Sequence, residues 1–104
     1  MLSTTVTGSA TDAAPLLIAH GLFGSARNWN VIAKRLSDRG QVISVDMRNH
    51  GESPREAAQD YEGMAEDLAE VIDSHGGKAD VLGHSMGGKA AMMLALTRPE
   101  LIRK

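Results

Sequence analysis

The sequence predicts an α/β domain built on a parallel sheet, with helices on both faces. Short apolar runs recur along the chain, at Leu16–Ala19, Val42–Val45 and 79–82. Each run is too short and too continuously apolar for a solvent-facing helix, and each ends in glycine or a polar turn. Segments with helical apolar periodicity follow the runs, and this alternation is typical of a parallel sheet buried on both faces.

The first two helices are predicted from periodicity and from their end signals. One is expected over residues 27–39, where apolar side chains recur every three or four positions and Gly40 follows as a C-cap. The second is expected over residues 60–74, with Asp60 as its N-cap and a glycine pair after its end.

The third helix begins at Ser85 and is apolar almost all round, so we expect it to be buried on most sides. The chain divides into an N-terminal strand and loop at residues 1–14 and an α/β unit at residues 15–104. Within the first part, residues 2–8 are expected to form an edge strand.

Composition excludes several classes of function. The chain has 104 residues, is 42% hydrophobic and 23% charged, and carries a formal charge of -2 without a block of like charge, so a nucleic-acid partner is not expected. We find no run long enough to span a bilayer and no secretory signal pattern, so no membrane partner is expected. The absence of cysteine agrees with a cytoplasmic location and excludes thiolate chemistry.

The segment that carries chemistry is G-x-S-x-G, formed by Gly83, Ser85 and Gly87. It lies directly after an apolar strand and directly before an apolar helix, the context of a nucleophile elbow. In such a turn the serine stands at the apex in a strained conformation, and the glycines allow strand and helix to cross closely. Ser85 is therefore the candidate catalytic nucleophile.

Backbone amides near this serine are candidates for an oxyanion hole. The first amides of a helix have no partner within it, so the N–H of Met86 is expected to face a developing oxyanion. A second donor is expected from the loop after the first strand, because parallel strands place their carboxyl ends at one edge. We assign it to the N–H of Leu22, with Phe23 as the second choice.

The same segment allows two other interpretations, a helix N-cap and a phosphate-binding loop. Ser85 would also suit a simple N-cap of the third helix, although a cap does not require glycine on both sides. Gly83, Gly88 and Lys89 match most of the phosphate-binding pattern G-x-x-x-x-G-K-[ST]. Ala90 stands at its last position and has no hydroxyl to hold Mg²⁺, so a nucleotide-binding loop is disfavoured.

Several polar residues near the motif are expected to be structural. His20 and His84 look like candidate general bases, but each is expected to support its own turn. The ring of His84, next to the serine in sequence, is expected to point away from the serine hydroxyl. Asp46 and Arg48, after the second strand, are expected to hydrogen-bond within the structure.

Three ordered motifs, at residues 15–25, 45–55 and 83–90, resemble those of the small bacterial α/β-hydrolase esterases of the YbfF type. The resemblance covers residues 15–104. It implies hydrolysis of short acyl esters or thioesters, including acyl-CoA-like substrates, with no metal and no organic cofactor. It also implies Ser85 as nucleophile and the Leu22 and Met86 amides as the oxyanion hole. In that fold the first of the three strands lies between the other two.

The sequence departs from this family in one respect. Family members are more than twice as long, and their catalytic acid and histidine follow the serine, whereas Glu100 is the one acid after Ser85 and no histidine follows it. Residues 15–104 are therefore expected to be a partial hydrolase domain, inactive alone, with an open edge at strand 79–82. The next strand is expected to begin near residues 101–104. The alternatives are a non-catalytic interaction module or half of a two-chain hydrolase.

Overall fold

The computed structural model describes residues 1–9, 11, 13–21, 24–55 and 59–104. Within these residues four strands form one sheet in the order β1-β3-β2-β4. The strands are β1 (Thr4–Thr7), β2 (Leu16–Ala19), β3 (Val42–Val45) and β4 (Asp80–Gly83). The last three are mutually parallel with β2 in the middle, and β1 pairs antiparallel with β3 at the edge.

The predicted strands agree closely with this sheet. The bounds of β2 and β3 and the presence of an N-terminal edge strand are confirmed, and β4 begins one residue later than expected. Ala79 instead forms an isolated parallel bridge with Ile102. The central position of β2 is also confirmed.

The first predicted helix is α-helical only in its middle part. The α-helix α1 covers Asn30–Leu36, and single turns of 3₁₀ helix at Ala26–Trp29 and Ser37–Arg39 flank it. The leading turn is tightened by local hydrogen bonds, since Asn28 Oδ1 accepts from the amide of Ser25 at 2.8 Å. The helical region predicted over residues 27–39 is therefore present and ends at Gly40 as expected, but its two ends are 3₁₀ turns, because apolar spacing alone does not separate α from 3₁₀ turns.

The second helix follows its predicted end signals. α2 covers Tyr61–Ser74, and the side chain of Asp60 accepts a hydrogen bond of 2.7 Å from the amide of Gly63, as an N-cap does. After the helix, Gly76 and Gly77 have φ of 105° and 83°, a region that favours glycine. None of the helices among the described residues has the length and apolarity needed to cross a membrane.

Helices cover both faces of the sheet, as predicted. α2 and α3 (Met86–Thr97) pack with the side chains of Leu17, Ala19, Ile43 and Val45 on one face. Side chains alternate across a strand, so Ile18 and Val42 face the other side, where Ala33 of α1 packs on them. This arrangement leaves the carboxyl ends of β2, β3 and β4 free to carry loops.

The burial of α3 corrects the sequence prediction. Its buried residues are Met86, Gly87, Ala90 and Leu94, which form one stripe rather than most of the surface. Met92 is 63% exposed and Leu96 is 79% exposed. Apolar composition predicted burial on most sides, but among the described residues α3 packs mainly on α2 and the sheet, which lie on one side of it.

The outer edge of β4 is partly paired. The amide of Ala79 donates to the carbonyl of Leu101 and the amide of Arg103 donates to Ala79, each at 2.9 Å. The amide of Val81 donates to Lys104 at the same distance. The expected open edge is therefore wrong beside Ala79 and Val81, but residues 101–104 pair there through an isolated parallel bridge and do not form the further strand that was expected.

Two buried serines near β3 give a matched stability test. The hydroxyl of Ser44 has no hydrogen-bond partner in the part of the chain that the structure describes. The hydroxyl of Ser53 donates to the carbonyl of Asp46 and accepts from the amide of Ser3. We expect Ser44→Ala to raise the free energy of unfolding by about 1 kcal/mol and Ser53→Ala to lower it by about 1 to 2 kcal/mol.

Urea unfolding followed by circular dichroism measures both changes. The two serines are almost equally buried, so a general effect of Ser-to-Ala replacement would move both in the same direction. Destabilisation by Ser44→Ala equal to that by Ser53→Ala would contradict the assignment of an unpartnered hydroxyl.

Candidate active site

Ser85 lies in a very short joint between strand and helix. β4 ends at Gly83 and α3 begins at Met86, so His84 and Ser85 make the whole turn. Ser85 has φ 54° and ψ -112°, a conformation that side-chain-bearing residues rarely adopt. Its side chain makes no capping hydrogen bond to the start of α3, which argues against the simple N-cap interpretation.

The glycines on either side of the turn lie where the backbone crosses itself. A Cβ on Gly83 would lie 2.6 Å from both the carbonyl oxygen of Gly87 and the Cα of Gly88. A Cβ on Gly87 would overlap the carbonyl oxygen of Ala19 and lie 2.6 Å from that of His20. These neighbours are backbone atoms and cannot move aside as a flexible side chain does. Strand, turn and helix therefore meet only if both positions lack a side chain.

The loop after β2 lies directly against this turn. The amide of His84 donates to the carbonyl of Ala19 at 3.0 Å, which joins the turn to the end of β2. A Cβ on Gly21 would lie 2.9 Å from His84 Nδ1 and 3.2 Å from the Cβ of Ser85. The predicted neighbourhood of loop and serine is thus present up to Gly21.

The structure describes one of the two predicted oxyanion donors, Met86, and not the other. Met86 is the first residue of α3, where an amide hydrogen has no partner within the helix. Leu22, and Phe23 as its alternative, lie outside the described residues. Their assignment stays a prediction.

His20 is buried beneath the loop and makes hydrogen bonds to backbone on both sides of its ring. Nδ1 lies 2.7 Å from the carbonyl oxygen of Gly21, and Nε2 lies 2.9 Å from the amide of Met47. Burial is the main cause that lowers the pKa of His20, and the nearby His50 lowers it further, while the bond to Gly21 and the charge of Asp46 oppose this. With both nitrogens engaged, His20 supports its turn as predicted.

Asp46 and Arg48 have the structural roles predicted for them. The carboxylate of Asp46 accepts from the amides of Ala26 at 2.8 Å and Glu52 at 3.1 Å, so it ties two loops together. The guanidinium of Arg48 makes a two-pronged ion pair with Asp67 of α2, at 2.6 and 3.1 Å. Together they fix the loop after β3 against the 3₁₀ turn that precedes α1 and against α2.

A cavity of about 320 Å³ opens beside Ser85. Trp29 and Ile32 supply its apolar wall, and the ring of Trp29 lies 6.0 Å from the ring of His84, centroid to centroid. The sequence alone did not identify either residue as part of a site, although both follow the His20 loop closely. The lining residues are His20, Gly21, Gly24, Asn28, Trp29, Ile32, His84 and Ser85.

The geometry opposes the nucleotide-binding alternative. A phosphate-binding loop needs the residues between its two glycines to wrap around the phosphate, but α3 already begins at Met86, two residues before Gly88. The ammonium group of Lys89 lies 5.9 Å from the ring centroid of Tyr61, where it makes a cation–π contact. This turn therefore has no room for the loop that the pattern requires.

The described residues include no group of three or more His, Asp or Glu side chains placed to hold a metal ion. The lining residues with polar side chains are His20, His84, Asn28 and Ser85.

Comparison with known proteins shows what the chain is similar to. A family model of the α/β hydrolase fold matches residues 14–104. The chain is 46% identical over 91 residues to the esterase YbfF of Escherichia coli, covering 86% of this chain and 36% of that protein. It is 45% identical over 96 residues to the sn-1-specific diacylglycerol lipase ABHD11 of Danio rerio, covering 89% of this chain and 30% of that lipase.

Solved structures show the same likeness. A marine microorganism esterase superposes with a TM-score of 0.88 at 43% sequence identity, and the match covers all of this chain and 40% of that esterase. The chain spans about a third of the length of the curated relatives it matches.

Proposed function

Because the chain belongs to the α/β-hydrolase fold family, we propose that Ser85 is the nucleophile of a serine hydrolase acting on short acyl esters or thioesters. The observation that carries this proposal is the positive φ of Ser85 in a two-residue joint beside a cavity. A helix cap or a surface serine gains nothing from that strain, whereas a nucleophile presented above a sheet edge requires it.

The proposed reaction proceeds through an acyl-enzyme. The hydroxyl oxygen of Ser85 attacks the substrate carbonyl carbon while a general base takes the hydroxyl proton. The oxyanion that forms is stabilised by the amides of Met86 and Leu22, and a donor of this kind contributes about 3 kcal/mol. The intermediate then expels the alcohol or thiol, which takes up the proton, and water releases the acid from Ser85.

The general base is not among the residues that follow Ser85, which include no histidine and no aspartate. His20 does not suit the role either, because both of its ring nitrogens bond to backbone groups. The 104 residues alone are therefore expected to retain only the slow reaction that an oxyanion hole and substrate binding support.

The lining of the cavity supports the proposed substrate class. Trp29 and Ile32 form an apolar wall beside the serine, which suits the acyl chain rather than a charged group. Two relatives have names that report ester hydrolysis, the esterase of Escherichia coli and the lipase of Danio rerio. We propose a small acyl ester or acyl thioester as substrate, with no cofactor in the reaction.

A chimera tests the proposal. Residues 1–104 are joined to the part of the Escherichia coli esterase YbfF that lies beyond the aligned segment, and this protein is called the YbfF chimera below. We expect it to hydrolyse p-nitrophenyl acetate and butyrate at least about 10³-fold faster than the 104-residue chain, because the added segment supplies the general base. Butyryl thioesters serve as the second substrate class.

The result also separates the alternatives. A folded YbfF chimera without esterase or thioesterase activity would contradict the proposed function and favour a non-catalytic interaction module. A 104-residue chain that is monodisperse by analytical ultracentrifugation and as active as the chimera would contradict the need for an added base.

A further inference from the structure

The cavity beside Ser85 has an apolar side that comes from one short segment of the chain. Trp29 ends the 3₁₀ turn before α1 and Ile32 lies three residues further, in α1 itself, and side chains three apart on a helix are neighbours. Both line the cavity, whose volume of about 320 Å³ is near the small end of the range for ligand sites. Trp29 and Ile32 together are called the apolar wall below.

The apolar wall is fixed to the sheet behind it. Ala33, the residue after Ile32, is buried and packs on side chains of β2 and β3, and Trp29 packs against the same cluster. The turn that carries Trp29 is held by the amide of Ala26, which donates to the carboxylate of Asp46 at 2.8 Å. Close-packed surroundings of this kind yield little, so a ligand too large for the cavity meets a wall that does not move aside.

The need for a general base indicates which part of an ester meets the apolar wall. The leaving group takes up the proton that the base removed from Ser85, so the leaving group must lie beside the base. Of the two histidines in the cavity lining, His20 has both ring nitrogens bonded to backbone groups, and the ring of His84 packs beside Trp29. The leaving group is therefore expected on the other side of Ser85, which leaves the cavity to the acyl chain.

We propose that Ile32 is a specificity-determining residue, which limits the length of the acyl chain that the cavity accepts. This inference rests on the proposed function. Trp29 is the nearer half of the apolar wall, because its ring adjoins that of His84, the residue before Ser85. Ile32 lies one helical turn further, so the first carbons of an acyl chain meet Trp29 and the later carbons meet Ile32. Ile32 is 42% exposed, so its replacement leaves the core intact.

Two substitutions at Ile32 change the cavity in opposite directions. Ile32→Ala lengthens the cavity and Ile32→Phe shortens it. Val31 is the matched control, because it is the preceding residue of α1, has a β-branched side chain that is 67% exposed, and is not among the residues that line the cavity. Val31→Ala and Val31→Phe therefore make similar changes in helix propensity and exposed surface without altering the cavity.

Kinetics of the YbfF chimera provide the main test. The measured quantity is kcat/KM for p-nitrophenyl octanoate divided by kcat/KM for p-nitrophenyl butyrate, a ratio in which effects common to both esters cancel. We expect Ile32→Ala to raise this ratio about 5- to 10-fold and Ile32→Phe to lower it by a similar factor, because single methylenes in an apolar pocket change kcat/KM measurably. Both Val31 variants should stay within about 2-fold of the parent chimera. Ratios for the Ile32 variants that match those for the Val31 variants would overturn the proposal.

A second measurement does not depend on activity. Trp29 is the one tryptophan of the 104-residue chain, so its fluorescence reports an acyl chain at the apolar wall. The probe is 8-bromooctanoate, whose bromine quenches tryptophan, and bromide ion is the control for unspecific quenching. We expect saturable quenching, with a half-quenching concentration at least about 3-fold lower in Ile32→Ala than in Val31→Ala.

The two measurements separate this proposal from the proposed function. Quenching that does not saturate, or that is equal in the Ile32→Ala and Val31→Ala chains, would overturn the role of Ile32. An inactive chimera together with the expected quenching would instead locate the failure in the proposed function.

Discussion

Replacing Gly87 with alanine is expected to lower the free energy of unfolding by about 3 kcal/mol or more, enough to unfold a marginally stable chain. The new methyl group would overlap the carbonyl oxygen of Ala19 and crowd that of His20, both in backbone at the end of β2. Relief would require α3 to move away from the sheet, and α3 carries Met86 and follows Ser85 directly. Activity of the YbfF chimera should therefore fall with stability.

Gly88 provides the matched control for this substitution. It lies next to Gly87 in the same helix, but a Cβ there would meet its nearest neighbour, the carbonyl oxygen of Gly83, at 3.3 Å. Helix propensity favours alanine over glycine by about 1 kcal/mol at either site. We expect Gly88→Ala to change the urea midpoint little, and a Gly87→Ala variant as stable as Gly88→Ala would contradict the tight crossing.

Removing the hydroxyl of Ser85 is expected to have the largest effect on catalysis. In the YbfF chimera, Ser85→Ala should lower kcat/KM for p-nitrophenyl butyrate by at least about 10³-fold, because no acyl-enzyme can form. Ser85 is exposed and its side chain caps nothing at the start of α3, so the urea midpoint should not fall. We expect no gain in stability from the substitution either, because alanine disfavours the positive φ at position 85 as serine does.

Ser37→Ala is the control for this loss. Ser37 is the C-cap residue that follows α1, and its hydroxyl donates to the carbonyl of Lys34 at 2.7 Å, away from the cavity beside Ser85. Its replacement should leave kcat/KM within about 2-fold, since surface substitutions away from special features have small effects. Retention of ester hydrolysis by Ser85→Ala at the level of Ser37→Ala would exclude Ser85 as the nucleophile.

Local signals in the sequence predicted much of the fold and the position of the candidate nucleophile. The apolar runs at β2 and β3 gave the bounds of both strands, because a strand buried on both faces has no polar interruption. Asp60 marked the start of α2 through a side-chain bond that depends on neighbours in sequence alone. The spacing of Gly83, Ser85 and Gly87 marked the turn because a tight backbone crossing imposes its own residue types.

Features that depend on packing partners were not predictable in the same way. The hydropathy of α3 gave no indication that Met92 and Leu96 would be exposed, since hydropathy does not report which neighbours a helix meets. The bond between His20 and Met47 joins residues 27 apart in sequence and needs the order of the strands as well as their positions. The wall formed by Trp29 and Ile32 depends on the angle at which α1 leaves the loop.

Mapping of a phosphonate adduct tests the central claim most directly. The YbfF chimera is treated with a fluorophosphonate, digested and analysed by mass spectrometry. If the serine at the strand–helix joint is the nucleophile, the phosphonate will be found on Ser85 and will be missing from the Ser85→Ala variant. Ester hydrolysis by a chimera whose adduct lies on another residue, or which forms none, would contradict the account.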